Sequence, residues 1–197
     1  MLEEWQHSFI NQYPCVLKKT ILDPAGRFII LQCSVLNQDL ILVNVYGPNI
    51  DDSNFYNNLF LSITDLHGEI IVGGDFNCTL EPRLDRSSGL DSSHPKSRQV
   101  IQHFMFELNL KDIWRLKNPT GREYSCYSAS HNSRSRIDYF LISNFLISRI
   151  NSCSYKSVLI SDHSITTLNF SVTAAFRRNP IWRLRPHWLH NQNIWNM

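Results

Sequence analysis

The chain has 197 residues, enough for one sizeable core, and 43% hydrophobic and 12% aromatic content without low-complexity blocks excludes a disordered protein. A formal net charge of +2 is too mild to specify nucleic acid by itself. Five cysteines (Cys15, Cys33, Cys78, Cys126 and Cys153) are scattered without a CxxC pair, which argues against a disulfide framework or a zinc site.

Asp23-Pro24-Ala25-Gly26 is a turn signal. Phe28–Leu36 and Leu40–Val45 read as paired strands around Asn37-Gln38-Asp39. Asp52 or Ser53 caps a helix whose apolar positions Tyr56, Leu59, Phe60, Ile63 and Leu66 keep helical spacing. Glu69–Val72 is a short buried strand, followed by a polar loop, Glu81–Ser93. A second helix begins near Pro95 and turns Ile101, Phe104, Met105 and Leu108 to the core. Strand-like pieces follow at Asp112–Leu116, Tyr124–Ser128, Arg136–Ile142, Ser152–Leu159 and Ser164–Val172. Strands interleaved with two helices predict an α+β or layered α/β domain.

Two short signatures carry chemistry. GGDFN, Gly73–Asn77, puts an acid at a strand end behind paired glycines, which would let a ligand approach the backbone. SDH, Ser161–His163, puts an acid beside an imidazole, distant enough in sequence that only folding unites the two. Carboxylates with a histidine at strand ends suit metal-assisted phosphodiester cleavage: acids hold Mg²⁺ and orient water, and histidine polarises or donates a proton. Asp138 lies inside the apolar run Arg136–Leu141, where a buried acid needs a partner, and pairing it with His163 would orient the imidazole. Bland readings stand beside these: an ordinary turn for Asp75 and Asn77, a satisfied core histidine for His163, a surface aromatic for Tyr46.

The two signatures, together with NVYGPN (Asn44–Asn49) before the first and LDRSSG (Leu84–Gly89), REYSCYS (Arg122–Ser128) and SRIDYFLIS (Ser135–Ser143) between them, in the family's order, resemble the endonuclease/exonuclease/phosphatase superfamily. The narrower likeness is to the endonuclease domain of LINE-type non-LTR retrotransposons. That resemblance implies a DNase I-like α+β fold, a four-layer α/β/β/α sandwich with helices outside two packed sheets. It implies Mg²⁺, or Mn²⁺ in its place, as cofactor and DNA as partner. It gives Asp75 the attacking water, Asn77 the phosphate or the positioning of Asp75, Tyr46 a phosphate oxygen and Asp162 the metal. The Asp138–His163 pair is implied as well, and Arg86 and Ser125 match positions that contact the DNA backbone.

The family begins with a strand carrying an Asn and a second ending in a metal-binding Glu; neither pattern appears in Met1–Pro14, so the chain reads as N-terminally truncated and impaired. The expected division is a lead-in over 1–20, the domain over 21–172, and a tail over 173–197 resembling the link to a reverse transcriptase absent here. In that tail Trp182, Trp188 and Trp195 either stack on nucleobases or pack on a missing partner. Arginine clusters (Arg83 with Arg86, Arg134 with Arg136, and Arg177, Arg178, Arg183 and Arg185) are either a solvated face or phosphate contacts. No signal peptide and no apolar run of membrane length are present, so an intracellular place, nucleus or cytoplasm, is expected. Two rival readings remain: a phosphoesterase of the same superfamily acting on a small phosphoester, and a non-catalytic nucleic-acid-binding remnant.

Overall fold

Leu36 and Asn37, both left-handed at φ 50° and 64°, make the two-residue turn that folds β2 (Phe28–Val35) onto β3 (Gln38–Tyr46). Residues 15–88 and 94–171 are described by the computed structural model, and the tail with its tryptophans and arginines lies outside them, as does Gly89. β1 (Cys15–Leu22) pairs antiparallel with β2 and so runs through the expected boundary at residue 20. The turn between them is the one the sequence signals, with Asp23 accepting from the backbone N–H groups of Gly26 and Arg27.

β3 continues through α1 (Ser53–Thr64) into β4 (Glu69–Asp75), a parallel crossover. Asp52 caps α1, accepting from Asn54 and Phe55, and the helix buries Tyr56, Leu59, Phe60 and Ile63. After the single turn α2 (Pro82–Asp85) comes α3 (Pro95–Glu107), which packs Phe104 against Phe60 with ring centroids 5.0 Å apart. β5 (Leu110–Asp112) leads directly into α4 (Ile113–Lys117). The expected strand Asp112–Leu116 is therefore mostly helix, because Asp112 accepts from the Arg115 backbone N–H at 3.1 Å and caps it. A small hairpin, β6 (Cys126–Ser128) and β7 (Ser133–Ser135), precedes β8 (Asp138–Ser143). A 3-10 turn then leads to a second hairpin, β9 (Ile150–Lys156) and β10 (Ile165–Phe170).

The main sheet runs β1-β2-β3-β4-β8-β5. Because strand side chains alternate, it has two distinct faces. Ile41, Val43, Val72, Tyr139 and Leu141 look toward α1 and α3. Cys33, Leu40, Ile71 and Ile142 look the other way, where Cys153, Leu168 and Phe170 of the β9–β10 hairpin cover them. Helices, sheet and second sheet form the expected layered α+β order, the second sheet being two-stranded among the described residues. No helix among these residues is long and apolar enough to cross a membrane.

Candidate active site

Register brings three of the expected residues into one row. Tyr46 on β3 is the partner of Asp75 on β4, and Asp75 is the partner of Asp138 on β8. Counting back by twos, Tyr46 shares a face with Leu40, Asp75 with Ile71 and Asp138 with Ile142, so all three sit on the hairpin side of the sheet. Tyr46 is exposed, and Asp138 is buried.

The paired glycines serve the fold rather than a ligand. A Cβ on Gly73 would lie 2.2 Å from the Phe140 ring, and Gly74, at φ 137°, would drive one into the Val45 carbonyl at 2.1 Å. The expectation that they open the backbone to a ligand is corrected accordingly. Asn77, left-handed at φ 46°, turns the chain back so that its N–H donates to Asp75 Oδ1 at 2.8 Å. Its amide donates to the Gly47 carbonyl at 2.9 Å. Of its two implied roles, positioning Asp75 is the one this geometry performs.

His163 reaches the row from the loop before β10: its Nδ1 lies 2.9 Å from Asp138 Oδ2. The loop is tied down on both sides, Tyr127 N–H donating to the Asp162 carbonyl and Ser164 N–H to the Ser125 carbonyl. Cys126 and His163 form an isolated antiparallel bridge. Ser125 is 1% exposed, and its hydroxyl accepts from the backbone N–H groups of Ile137 and Asp138, both at 3.0 Å. That geometry aims β8 rather than presenting the hydroxyl at the surface, where a DNA backbone contact would be made.

Burial raises Asp75 to about 6: Asp138 and Asp162 add to the rise, while the Asn77 N–H and His163 oppose it. Burial likewise raises Asp138, against the pull of the Ser125 hydroxyl and His163. These are carboxylates held together without a counter-charge equal to them. Asp75, Asp138 and His163 offer ligand atoms within 4.8 Å of one another, and Asp162, exposed, stands beside His163. Oxygen-rich donors of this kind suit a hard divalent cation. Neither group of side chains placed so as to hold a metal among the described residues contains a glutamate.

The Endonuclease/Exonuclease/phosphatase family matches residues 19–163. The chain belongs to that family. It is 32% identical over 189 residues to the Transposon TX1 uncharacterized 149 kDa protein of Xenopus laevis, covering 92% of this chain but 14% of that relative. The chain thus spans a small part of the curated protein it matches. Among solved structures, an AP endonuclease from Archaeoglobus fulgidus superposes with TM-score 0.63 at 20% identity, over 79% of this chain and 72% of that one. The AP endonuclease LMAP from Leishmania major gives 0.61 at 25% identity, over 73% and 54%. The fold is DNase I-like.

Within this family member, a second charged cluster escaped the sequence reading. Arg136, grouped there with Arg134 as a solvated or phosphate-binding pair, is fully buried. Its Nε lies 2.7 Å from Asp85 Oδ1 and one terminal nitrogen 2.6 Å from Asp112 Oδ2. Arg115 adds a contact of 2.5 Å to Asp85. Burial alone opposes the Arg136 charge, but Asp112 and Asp85 outweigh it and push its pKa further up. The guanidinium also lies over Trp114 and Tyr139. The signal available was Arg136 inside the strand-like run Arg136–Ile142: a charge on an apolar strand demands partners, as Asp138 does. Next to this hub, Arg86 bridges Ser135 through its backbone, which fastens the LDRSSG segment to β7.

Proposed function

We propose that the chain is the endonuclease domain of a non-LTR retrotransposon protein and hydrolyses one DNA phosphodiester to nick target DNA, with Mg²⁺ or Mn²⁺ as cofactor. The observation that carries this reading is the row Tyr46–Asp75–Asp138 with His163 bonded to Asp138. Asp75 accepts the proton of the water whose oxygen attacks phosphorus; a carboxylate raised to about 6 is a better base near neutrality than an ordinary one. Asn77 fixes that carboxylate's direction. Asp138 holds His163 with its second ring nitrogen toward the phosphate, where a donor stabilises the charge that develops. Tyr46, exposed at the end of the row, supplies a hydroxyl to a phosphate oxygen, and Arg86 lies on the segment that would follow the DNA backbone. Asp162, with Asp75, is the oxygen donor toward the cation, which when bound neutralises phosphate charge and eases departure of the leaving oxygen.

Mg²⁺ usually relies on only one or two protein carboxylates, so the lack of a glutamate in either candidate group among the described residues is expected to lower cation affinity. The same observation favours the second reading, a nucleic-acid-binding domain without turnover. Conversion of supercoiled plasmid to open circles, with Mg²⁺ and with chelator, separates them. Slow, chelator-sensitive nicking that is lost in Asp75→Ala supports the enzyme; DNA retention without any nicking supports the second reading.

A further inference from the structure

One residue beside the site, Cys126, plays no part in the reaction above, although it stands against two of that reaction's side chains. Cys126 on β6 faces the SDH loop, and its Sγ, an Asp162 oxygen and a His163 ring nitrogen all lie within 4.8 Å of one another. The juxtaposition is fixed by backbone, not by chance side-chain approach: Cys126 and His163 pair as a β-bridge, and Tyr127 N–H holds the Asp162 carbonyl at 2.9 Å. The thiol is free and half-buried, while Asp162 is exposed, so an ion has a path to it.

We propose that Cys126, Asp162 and His163 form a site for a soft divalent cation of the zinc class, distinct in chemistry from the hard-cation site. Thiolate, imidazole and carboxylate in a set of three, with a fourth position open, is a zinc-type donor set. Tetrahedral zinc with bonds of roughly 2.0–2.3 Å holds its ligands roughly 3.3–3.8 Å apart. The donors, all within 4.8 Å of one another, need at most a modest closure to reach that spacing, which the exposed Asp162 side chain can supply. The histidine is already prepared: Nδ1 is engaged by Asp138, the carboxylate–histidine arrangement that orients metal-binding imidazoles, which leaves its other nitrogen for the ion. Burial first, then Asp162, Asp138 and Asp75, hold the thiol up at about 11, and that same negative field attracts a cation. On binding, the Sγ–metal bond forms as the thiol proton leaves to solvent. The scattered cysteine spacing hides this site because its partners come from the SDH loop rather than from a second cysteine. Mg²⁺ has no use for a thiolate, so the two cations are sorted by ligand softness.

The consequence, which rests on the proposed nuclease reading, is inhibition: a soft ion here occupies the Asp162 and His163 that the reaction needs. The test has two independent arms. The full chain, reduced with a non-thiol reagent and freed of metal, is titrated with Co²⁺ and followed by its thiolate-to-metal charge-transfer absorption, then back-titrated with Zn²⁺. One equivalent giving a thiolate band that Zn²⁺ displaces, absent in Cys126→Ser and weakened at least tenfold in His163→Ala, is the expected result. No band, or a band that survives Cys126→Ser, overturns the site whatever the enzyme does. In the second arm, Zn²⁺ added to the Mg²⁺ nicking assay should inhibit the wild type at concentrations at least tenfold below those needed for Cys126→Ser, whose nicking without Zn²⁺ is unchanged. Equal sensitivity overturns the inhibitory role. A chain that binds Co²⁺ as described but never nicks would refute the nuclease reading and leave the metal site standing.

Discussion

The two faces of the six-stranded sheet contrast sharply. On the helix side the packing is apolar and closed: Tyr56, Phe76 and Tyr139 stack in series, with centroid distances of 6.4 and 4.1 Å, and Ile30, Val72 and Leu141 lie beneath. On the hairpin side an apolar half, Leu40, Ile71 and Ile142, gives way at the strand ends to Tyr46, Asp75 and Asp138. The tyrosine hydroxyls of the first face are answered locally, as where Tyr139 donates to the Cys78 carbonyl at 3.0 Å. The second face brings two carboxylates side by side, Asp75 half-buried and Asp138 buried against His163, with Tyr46 exposed at the end of the row. Stability is concentrated on one side of the sheet and chemistry on the other, so substitutions on each should fail in different assays.

The largest effect on stability should come from the hub that joins α2, α4 and the start of β8. Arg136→Ala leaves Asp85 and Asp112 buried without their guanidinium, a loss of about 3–5 kcal/mol, of the order of a small domain's whole margin. Urea unfolding at neutral pH measures it. A midpoint close to wild type would mean that the hub is ornamental and that the helix-side core alone carries the fold.

His163→Ala is the mirror experiment on the other face. His163 is a third exposed, and its ring bonds only Asp138 among the hydrogen bonds described, so its removal should change stability by less than about 1 kcal/mol. Nicking should fall by roughly 10²–10⁴-fold, the usual contribution of a positioned acid–base group. Loss of stability in step with activity would show that the two faces are not separable in this way.

How much of this was legible in the sequence follows the same division. α1 could be read because its cap, Asp52, and its 3.6-residue period agree, and helix packing needs nothing further. Asp138 against His163 was legible because an acid in an apolar strand must be answered by something. Arg136 obeys the identical rule, yet the clustering of arginines in sequence pointed outward instead, and only the fold brings Asp85 and Asp112 to it. Gly73 and Gly74 were misread for a similar reason: what fills the space over a glycine is a neighbouring strand, here Phe140 and Val45, which local sequence does not contain. Asp112–Leu116 looked like a strand because its cap residue also ends β5. Pairwise partners distant in sequence are the part that composition and spacing cannot supply.

One substitution is expected to change stability in the opposite direction. Asp75→Asn should stabilise the protein while abolishing nicking, because the amide keeps an oxygen for the Asn77 N–H and removes a charge that burial, Asp138 and Asp162 disfavour. The carboxyl's folded pKa is raised from 3.8 to about 6, so ionisation opposes folding. That penalty is absent below about pH 3.8, grows as pH rises between the two values, and is complete above about 6. In metal-free buffer at pH 7 the variant should therefore be the more stable by about 1–2 kcal/mol, after discounting for the solvent that still reaches the group. The advantage should shrink as pH is lowered through 6, as the wild-type carboxyl takes up its proton. Urea midpoints of both proteins across pH 5–8 in the presence of chelator give the curve. A wild type more stable than the variant throughout that range would mean that Asp75 is compensated by groups other than His163 and the Asn77 N–H, and that the site's charge is not held in strain by the fold.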